Sequence, residues 1–122
     1  MKANKRRSRE IARLIAAEEE RCFANAWRAM KLTNGGVLCL GQAVVEGTTY
    51  RHAWIEEGRW IIDPSWIDRV DIAAVSYRTL HRWTRSQMRK LQIMRSSKAV
   101  MPLFPEWYAI AQRTEGESPP AP

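Results

Sequence analysis

The chain has few cysteines and histidines and no long apolar run. Its 122 residues include two cysteines, Cys22 and Cys39, and two histidines. Two cysteines cannot form the disulfide framework of a small secreted fold, so both are expected to remain reduced thiols. No apolar stretch approaches the roughly 20 residues that a membrane-spanning helix needs, and the first residues lack the apolar core of a secretory signal. These absences predict a protein without a membrane segment, and its expected location is the cytoplasm.

Metal-binding and nucleotide-binding signatures are also missing. The cysteines and histidines show none of the close pairings that are typical of zinc sites; they are Cys22, Cys39, His52 and His81. The stretches "NGG" and "EGTT" have the form of ordinary turns and not of a phosphate-binding loop. The sequence therefore predicts no metal ion and no cofactor.

The residues that are present are enough for one globular domain. Hydrophobic residues make up 45% of the sequence, which includes six tryptophans. A chain of this length forms one modest core. The net charge of +7 favours an anionic partner, such as nucleic acid or an acidic protein surface. The domain is expected over residues 10–112, between a flexible basic tail at 1–9 and a disordered tail at 113–122.

Helices are predicted at both ends of this domain. Apolar residues recur at near-helical spacing over residues 8–30, which indicates one long helix or two abutting helices, the second beginning near Arg21. The stretch "TRSQ" has the form of a capping box with Thr84 as N-cap, so a basic helix is expected over about 85–96. A short further helix is expected after Pro105.

Strands are predicted between these helices. The apolar stretch "VLCLGQAVV", residues 37–45, is typical of a buried central strand. Residues 50–66, "YRHAWIEEGRWIIDPSW", have the pattern of a β-hairpin, and residues 75–83 that of a further strand. The fold class is therefore α+β: a helix that bears Cys22 packs on an antiparallel sheet of three or four strands, and a basic helix follows.

The hairpin carries two polar residues where apolar ones would be expected. With a turn centred on residues 57–58, Glu56 faces Arg59 and His52 falls directly opposite Asp63. An aspartate at that distance can orient an imidazole and stabilise its protonated form, as a general base requires. The alternative is a purely structural pair. A three-residue loop would place the two side chains on opposite faces.

Cys22 is the candidate nucleophile. In "RCFANAW" it lies at or near the start of a helical segment, where backbone N–H groups and a nearby imidazolium favour a thiolate. The same N–H groups could stabilise an oxyanion. The alternative is that Cys22 is a small buried apolar residue, which is the role expected for Cys39 within its apolar strand.

Two amide side chains are candidates for oxyanion or structural support. Asn25 lies one turn after Cys22, and a structural role is favoured for it. Gln42 is polar within an apolar strand and either donates to an oxyanion or points to solvent. His81 has no nearby carboxylate in the sequence and is a poor candidate base.

The order of a helix-borne cysteine, a strand, a strand with "HAW" and a strand with "IDPSW" resembles the transglutaminase-like branch of the papain-like cysteine-enzyme superfamily. More closely, "RCFANAW", "HAWIEEGRWIIDPSW" and "HRWTRSQM" are similar to small proteins of phages and plasmids that carry C-x-x-N-A, H-A-W and D-x-[ST]-W patterns. The resemblance covers residues 21–66 well and residues 77–88 loosely.

The resemblance implies a cysteine-dependent acyl-transfer enzyme. Cys22 would be the nucleophile, His52 the general base and acid, and Asp63 the residue that orients His52. A protein or peptide substrate is implied, and the outcome is that of a peptidase, an amidase or deamidase, or a transglutaminase-like enzyme. A phage- or plasmid-encoded protein of this kind could act on a host protein. The sequence leaves the substrate and the oligomeric state open.

Two other classes of function remain open at this point. The first is a binding or inhibitor protein that keeps the fold without turnover. The second is a nucleic-acid-binding protein that uses the basic helix with the neighbouring Trp83, since helical spacing would place arginines on one face. The residues proposed for this role are Arg82, Arg85, Arg89 and Lys90.

Overall fold

The computed structural model describes residues 1–96 and 116–120 of the chain, with residues 91–96 represented by their backbone. The elements of this part are β1 (Lys2–Ala3), α1 (Lys5–Ile15), α2 (Cys22–Met30), β2 (Val37–Val45), β3 (Thr48–Glu57), β4 (Trp60–Ile62), β5 (Ser76–Trp83) and α3 (Arg85–Ser96), with a 3₁₀ turn at Ile72–Ala74. The predicted α+β class is confirmed. The described sheet has five strands, one more than the largest number predicted.

The start of the chain differs from the flexible basic tail predicted for residues 1–9. Lys2 and Ala3 instead form β1, which pairs in parallel with β4 and makes the sheet mixed. Asn4 caps α1 by accepting a 2.9 Å hydrogen bond from the Arg7 N–H, and Ser8 is fully buried. The basic residues therefore belong to a capped helix, and their charge did not indicate disorder.

The two-helix alternative for residues 8–30 is confirmed. Helix α1 ends at Ala16, which takes the left-handed conformation at φ 50°. Helix α2 begins at Cys22 and buries one face through Phe23, Ala26 and Met30, which recur at helical spacing. The prediction that the second helix begins near Arg21 is thus accurate to one residue.

The sheet has the strand order β1-β4-β3-β2-β5, with β2 and β3 at its centre. Strand β2 spans the residues predicted for it and is antiparallel to both neighbours. A two-residue turn at Glu46 and Gly47, with φ 50° and 78°, joins β2 to β3. Strand β3, which carries His52, is the middle strand of the five described.

The predicted register of the hairpin between β3 and β4 is wrong by two residues. Glu57 pairs with Trp60, and Ile55 pairs with Ile62. The turn is made by residues 58–59, because Gly58 adopts φ 60° at the first turn position, where glycine is favoured. A shift of two residues preserves the alternation of side chains, so the predicted face of each residue is retained.

Both faces of the sheet bury apolar side chains. Leu40 and Ala53, paired across β2 and β3, pack with residues of α2. The neighbouring pair Cys39 and Trp54 packs on the opposite face with Ile61. Complete burial of a large apolar side chain stabilises a fold by about 1.5–3 kcal/mol. The central strands are thus fixed from two sides.

The predicted capping box of α3 is confirmed. Thr84 Oγ1 accepts a hydrogen bond from the Gln87 N–H, and Gln87 Oε1 accepts one from the Thr84 N–H. The helix predicted after Pro105 lies outside the described residues. Among the helices that are described, none has the length and apolarity needed to cross a bilayer.

Part of the tail predicted to be disordered at residues 113–122 is placed against the domain. The Gly116 N–H donates a 2.8 Å hydrogen bond to the Glu20 carbonyl, and the Glu117 carboxylate contacts Arg51. Pro119 is buried. Residues 116–120 therefore form part of the described structure, and the remainder of this range lies outside it.

Candidate active site

His52 and Asp63 form a buried hydrogen-bonded pair. His52 Nε2 and Asp63 Oδ2 are 2.9 Å apart, and both side chains are 0% exposed. Strand β4 ends at Ile62, so Asp63 is the first residue beyond it. The corrected register makes the two residues diagonal neighbours, and their side chains still meet because both lie on the same face.

Three further groups hold the Asp63 residue in place. The Tyr77 hydroxyl donates a 2.7 Å hydrogen bond to Oδ2, the oxygen that also contacts His52. The backbone N–H of Trp66 donates to Oδ1 at 3.1 Å, and the backbone N–H of Asp63 donates to Ser8 Oγ at 2.9 Å. Burial and the Asp63 charge raise the pKa of the Tyr77 phenol, which keeps it a donor at neutral pH.

Aromatic rings enclose the imidazole of His52. The Trp66 ring stacks on it with 3.8 Å between ring centroids and 20° between ring planes. Trp54 lies beside it with 6.0 Å between centroids. These contacts exclude water and fix the plane of the imidazole. The hydrogen bond to Asp63 fixes which of the two ring nitrogens faces the carboxylate. His52 thus has little rotational freedom.

Cys22 is the third member of the group. It is the first residue of α2, is 2% exposed, and interacts with the His52 ring. Helix α2 packs chiefly along β3 and leads through a turn into β2, whose first residue pairs with Glu56. A nine-residue helix spans roughly 13 Å, or about four residues of strand. The interaction of Cys22 with the His52 ring joins the start of this helix to β3.

Protonation of His52 is favoured despite its burial. Burial lowers the pKa of the ring, but the Asp63 carboxylate and Cys22 together raise it to about 9. The second ring nitrogen, Nδ1, forms no hydrogen bond of ordinary geometry with a described residue. Since Nε2 is engaged with Asp63, Nδ1 is the nitrogen that can exchange a proton with the Cys22 thiol.

Asn25 has the structural role that was favoured for it. Its Nδ2 donates to the Glu18 carbonyl at 2.7 Å and to Ser65 Oγ at 2.9 Å. Its Oδ1 accepts from the Glu18 N–H and from Arg28. The side chain is fully buried. Asn25 therefore joins α2 to the chain before Cys22 and to the loop after Asp63, which holds the three candidate residues in register.

Gln42 lies on β2 between Arg51 of β3 and Arg78 of β5. It is partly exposed and has the same orientation as Leu40, whereas His52 has that of Trp54. The register therefore places Gln42 and His52 on opposite faces of the sheet and does not bring Gln42 to the imidazole.

Cys39 is buried, as predicted, on the opposite face of the sheet from Leu40. Its thiol donates a 3.3 Å hydrogen bond to Glu56 Oε1. Burial and the Glu56 charge raise its pKa far above the ordinary value, so Cys39 stays protonated at neutral pH. His81 is exposed and stacks on Trp83. Cys39 packs against Trp54, which lies beside His52, but its thiol bonds to Glu56.

The basic residues proposed to bind nucleic acid do not all lie on one helical face, which differs from the prediction. Arg82 lies on β5, before the helix, and its guanidinium contacts the Glu56 carboxylate at 3.1 Å. Arg85, Arg89 and Lys90 lie on α3 and are exposed. The capping box at Thr84 separates the strand from the helix, so Arg82 does not continue the helical row of Arg85 and Arg89.

Sequence reasoning missed two residues of the site. Tyr77 reaches Asp63 from β5, and Ser8 reaches it from α1. The alternation of β5 places Tyr77 on an inward face, but nothing in that pattern identifies Asp63 as its partner. Ser8 falls within residues 1–9, which the charge pattern predicts to be flexible, and nothing in that pattern distinguishes it from the charged residues around it.

No protein-family model, no curated protein and no solved structure matches the chain. The function is therefore inferred from the geometry of the site. A thiol at a helix start, an imidazole that can take its proton and a buried carboxylate that orients the imidazole are together suited to nucleophilic attack on a carbonyl.

Proposed function

We propose that this protein is a cysteine-dependent acyl-transfer enzyme with Cys22 as nucleophile, His52 as general base and acid, and Asp63 as the orienting residue. The observation that supports this most directly is the His52 ring, which contacts Asp63 through Nε2 and interacts with Cys22 while fully buried. The order of the "RCFANAW", "HAW" and "DPSW" motifs supports the same assignment.

The proposed reaction begins with attack of the Cys22 sulfur on an amide carbonyl carbon. The thiol proton first passes to His52 Nδ1, which leaves a thiolate beside a protonated imidazole, and the carbon–sulfur bond then forms from that thiolate. The carbon–nitrogen bond then breaks, and His52 returns that proton to the leaving amine. The product of this first stage is a thioester on Cys22.

A second nucleophile completes the proposed cycle. Water or an amine attacks the thioester, His52 accepts a proton from it, and the carbon–sulfur bond breaks. The proton then returns to the Cys22 sulfur. Water gives a carboxylic acid, as in a peptidase or amidase, and an amine gives a new amide, as in a transglutaminase-like enzyme. The N–H groups at the start of α2 are the candidate oxyanion donors.

Alkylation by iodoacetamide tests this proposal, with each cysteine followed by mass spectrometry between pH 5 and 9. Cys22 is expected to react below pH 7, while Cys39 stays unmodified because burial and Glu56 keep its thiol protonated. His52→Ala is expected to slow Cys22 alkylation below pH 7 by roughly tenfold or more. Asp63→Asn is expected to act in the same direction.

The matched control is His81→Ala, which removes an exposed histidine outside the site. It should leave Cys22 alkylation unchanged. Equal rates in the wild type, His52→Ala and Asp63→Asn would contradict the enzyme proposal and would support a binding protein with this fold. Circular dichroism of each variant distinguishes loss of the imidazole from loss of folding.

A further inference from the structure

Residues 116–120 lie across the surface next to the candidate active site. The Gly116 N–H donates a 2.8 Å hydrogen bond to the carbonyl of Glu20, two residues before Cys22. The next residue, Glu117, contacts Arg51, which directly precedes His52 on β3. The segment therefore runs from the chain before the nucleophile to the strand that carries the base.

Arg51 binds the Glu117 carboxylate through both its side chain and its backbone. Arg51 Nε donates to Glu117 Oε1 at 2.6 Å, and a terminal guanidinium nitrogen contacts the same oxygen. The backbone N–H of Arg51 donates to the second oxygen, Oε2. Both carboxylate oxygens are thus bound by one residue, a geometry that is specific for a carboxylate rather than for negative charge in general.

The segment continues into a cavity beside the aromatic residues of the site. Pro119 is buried, and Pro119 and Pro120 line a cavity of about 580 Å³ with Tyr50 and Val70. Tyr50 packs edge-on against Trp66, the residue that stacks on His52. The segment and Tyr50 thus line the same cavity, on the outer side of the aromatic group that holds the imidazole.

The adjoining edge of β3 is suited to binding an extended peptide. Strand β4 pairs with β3 only at Ile55, Glu56 and Glu57. Along the earlier residues of β3, including Arg51, no described strand pairs on that side. Exposed strand edges bind extended segments through backbone groups, and side-chain subsites then select the sequence.

We propose that Arg51 is a subsite for a carboxylate side chain of an extended peptide, and that residues 116–120 occupy it as an intramolecular ligand that limits access to Cys22. The chemical class of ligand is an acidic segment with proline following the acidic residue, as in "GESPP". The subsite rests on the contacts of Arg51, and its role in substrate selection rests on the proposed acyl-transfer function.

The test compares Glu117→Ala with the wild type by two measurements. The first is hydrogen exchange of the Arg51 amide by NMR, which reports the contact without reference to Cys22 chemistry. The second is the rate of Cys22 alkylation by iodoacetamide. Because exposed ion pairs are weak and this one has an added backbone bond, both rates are expected to rise by roughly three- to tenfold.

Glu10→Ala is the matched control, since Glu10 forms an exposed ion pair with Arg7 on α1. It should change neither rate. Arg51→Glu should raise the alkylation rate as Glu117→Ala does, and adding Glu117→Arg to it should reverse at least part of that rise. A synthetic peptide of sequence GESPPAP should slow alkylation of the Glu117→Ala variant, and GQSPPAP should have a weaker effect.

The outcomes separate this proposal from the enzyme proposal. Two results for Glu117→Ala would overturn the role of residues 116–120. One is an unchanged rate of hydrogen exchange at the Arg51 amide; the other is faster exchange there with an unchanged rate of Cys22 alkylation. Equal effects of the two peptides would overturn the carboxylate subsite. Cys22 alkylation that is independent of His52 would instead contradict the enzyme, while selective binding of GESPPAP would still establish the Arg51 subsite.

Discussion

The Tyr77 hydroxyl and His52 Nε2 both contact the same oxygen of Asp63, at 2.7 Å and 2.9 Å. Tyr77 comes from β5 and His52 from β3, with β2 between these two strands. The carboxylate therefore joins three parts of the fold in a region that excludes water. Because this oxygen is buried, loss of either contact leaves it with one donor instead of two and no water to replace the lost one.

Tyr77→Phe is expected to lower the free energy of unfolding by about 1–3 kcal/mol, because it removes a donor from a buried carboxylate. Urea unfolding at pH 7 measures this difference. Tyr50→Phe is the matched control, since Tyr50 is also partly buried but packs on Trp66. Equal effects of the two substitutions would show that the Tyr77 hydroxyl contributes nothing specific through Asp63.

Stability is expected to fall between pH 6.5 and 9. The pKa of His52 is about 9 in the folded protein against an ordinary value of 6.5, so the folded state binds this proton more tightly. The resulting stabilisation is fully present below pH 6.5 and is lost as the pH rises through 9. One pKa unit corresponds to 1.36 kcal/mol, which gives about 3 kcal/mol in total.

Urea unfolding from pH 6 to 10 measures this loss. Other groups also titrate in that range, so the contribution of His52 is the difference between the wild type and His52→Gln. Asp63→Asn provides a second comparison because it removes the charge that raises the pKa. If the free energy of unfolding had the same pH dependence in the wild type and in both variants, the raised pKa would not belong to His52.

Trp66→Ala is expected to lower the free energy of unfolding by about 3–5 kcal/mol, because Trp66 is fully buried and stacks on His52. Trp60→Ala is the control on β4, where the tryptophan is 45% exposed. It should cost much less, about 1 kcal/mol or below. Thermal unfolding of the two variants compares these losses, and similar shifts in Tm would contradict the structural role of the stacked ring.

Gly41→Ala is expected to disrupt the pairing of β2 with β5. A Cβ at Gly41 would overlap the carbonyl oxygen of Arg78, at the register shift between these strands. Since backbone atoms cannot yield as a flexible side chain does, the cost is on the order of 3 kcal/mol.

Gly58→Ala is the comparison for this substitution. Gly58 lies in open space but has φ 60°, so alanine there costs about 1–2 kcal/mol through the backbone alone. Urea unfolding compares the two variants. A smaller loss for Gly41→Ala than for Gly58→Ala would show that the strands can separate at the register shift without penalty.

Local patterns predicted most of the secondary structure. The apolar run at residues 37–45 predicted β2, and the Thr84 capping box predicted the start of α3, because both signals depend on neighbours in sequence. The hairpin register was wrong by two residues because glycine's positive φ, and not the symmetry of charged pairs, decided the turn. The face of His52 was still correct, since strand alternation is unaffected by a shift of two.

The amino-acid sequence by itself determined the elements, the fold class and the choice of Cys22, His52 and Asp63 as candidates, because periodicity, capping and turn chemistry act over a few residues. Only the tertiary structure decided that Tyr77 and Ser8 contact Asp63, and that residues 116–120 contact Arg51. These contacts join residues 14 to 66 positions apart. Their formation depends on strand order and packing, which no local pattern specifies.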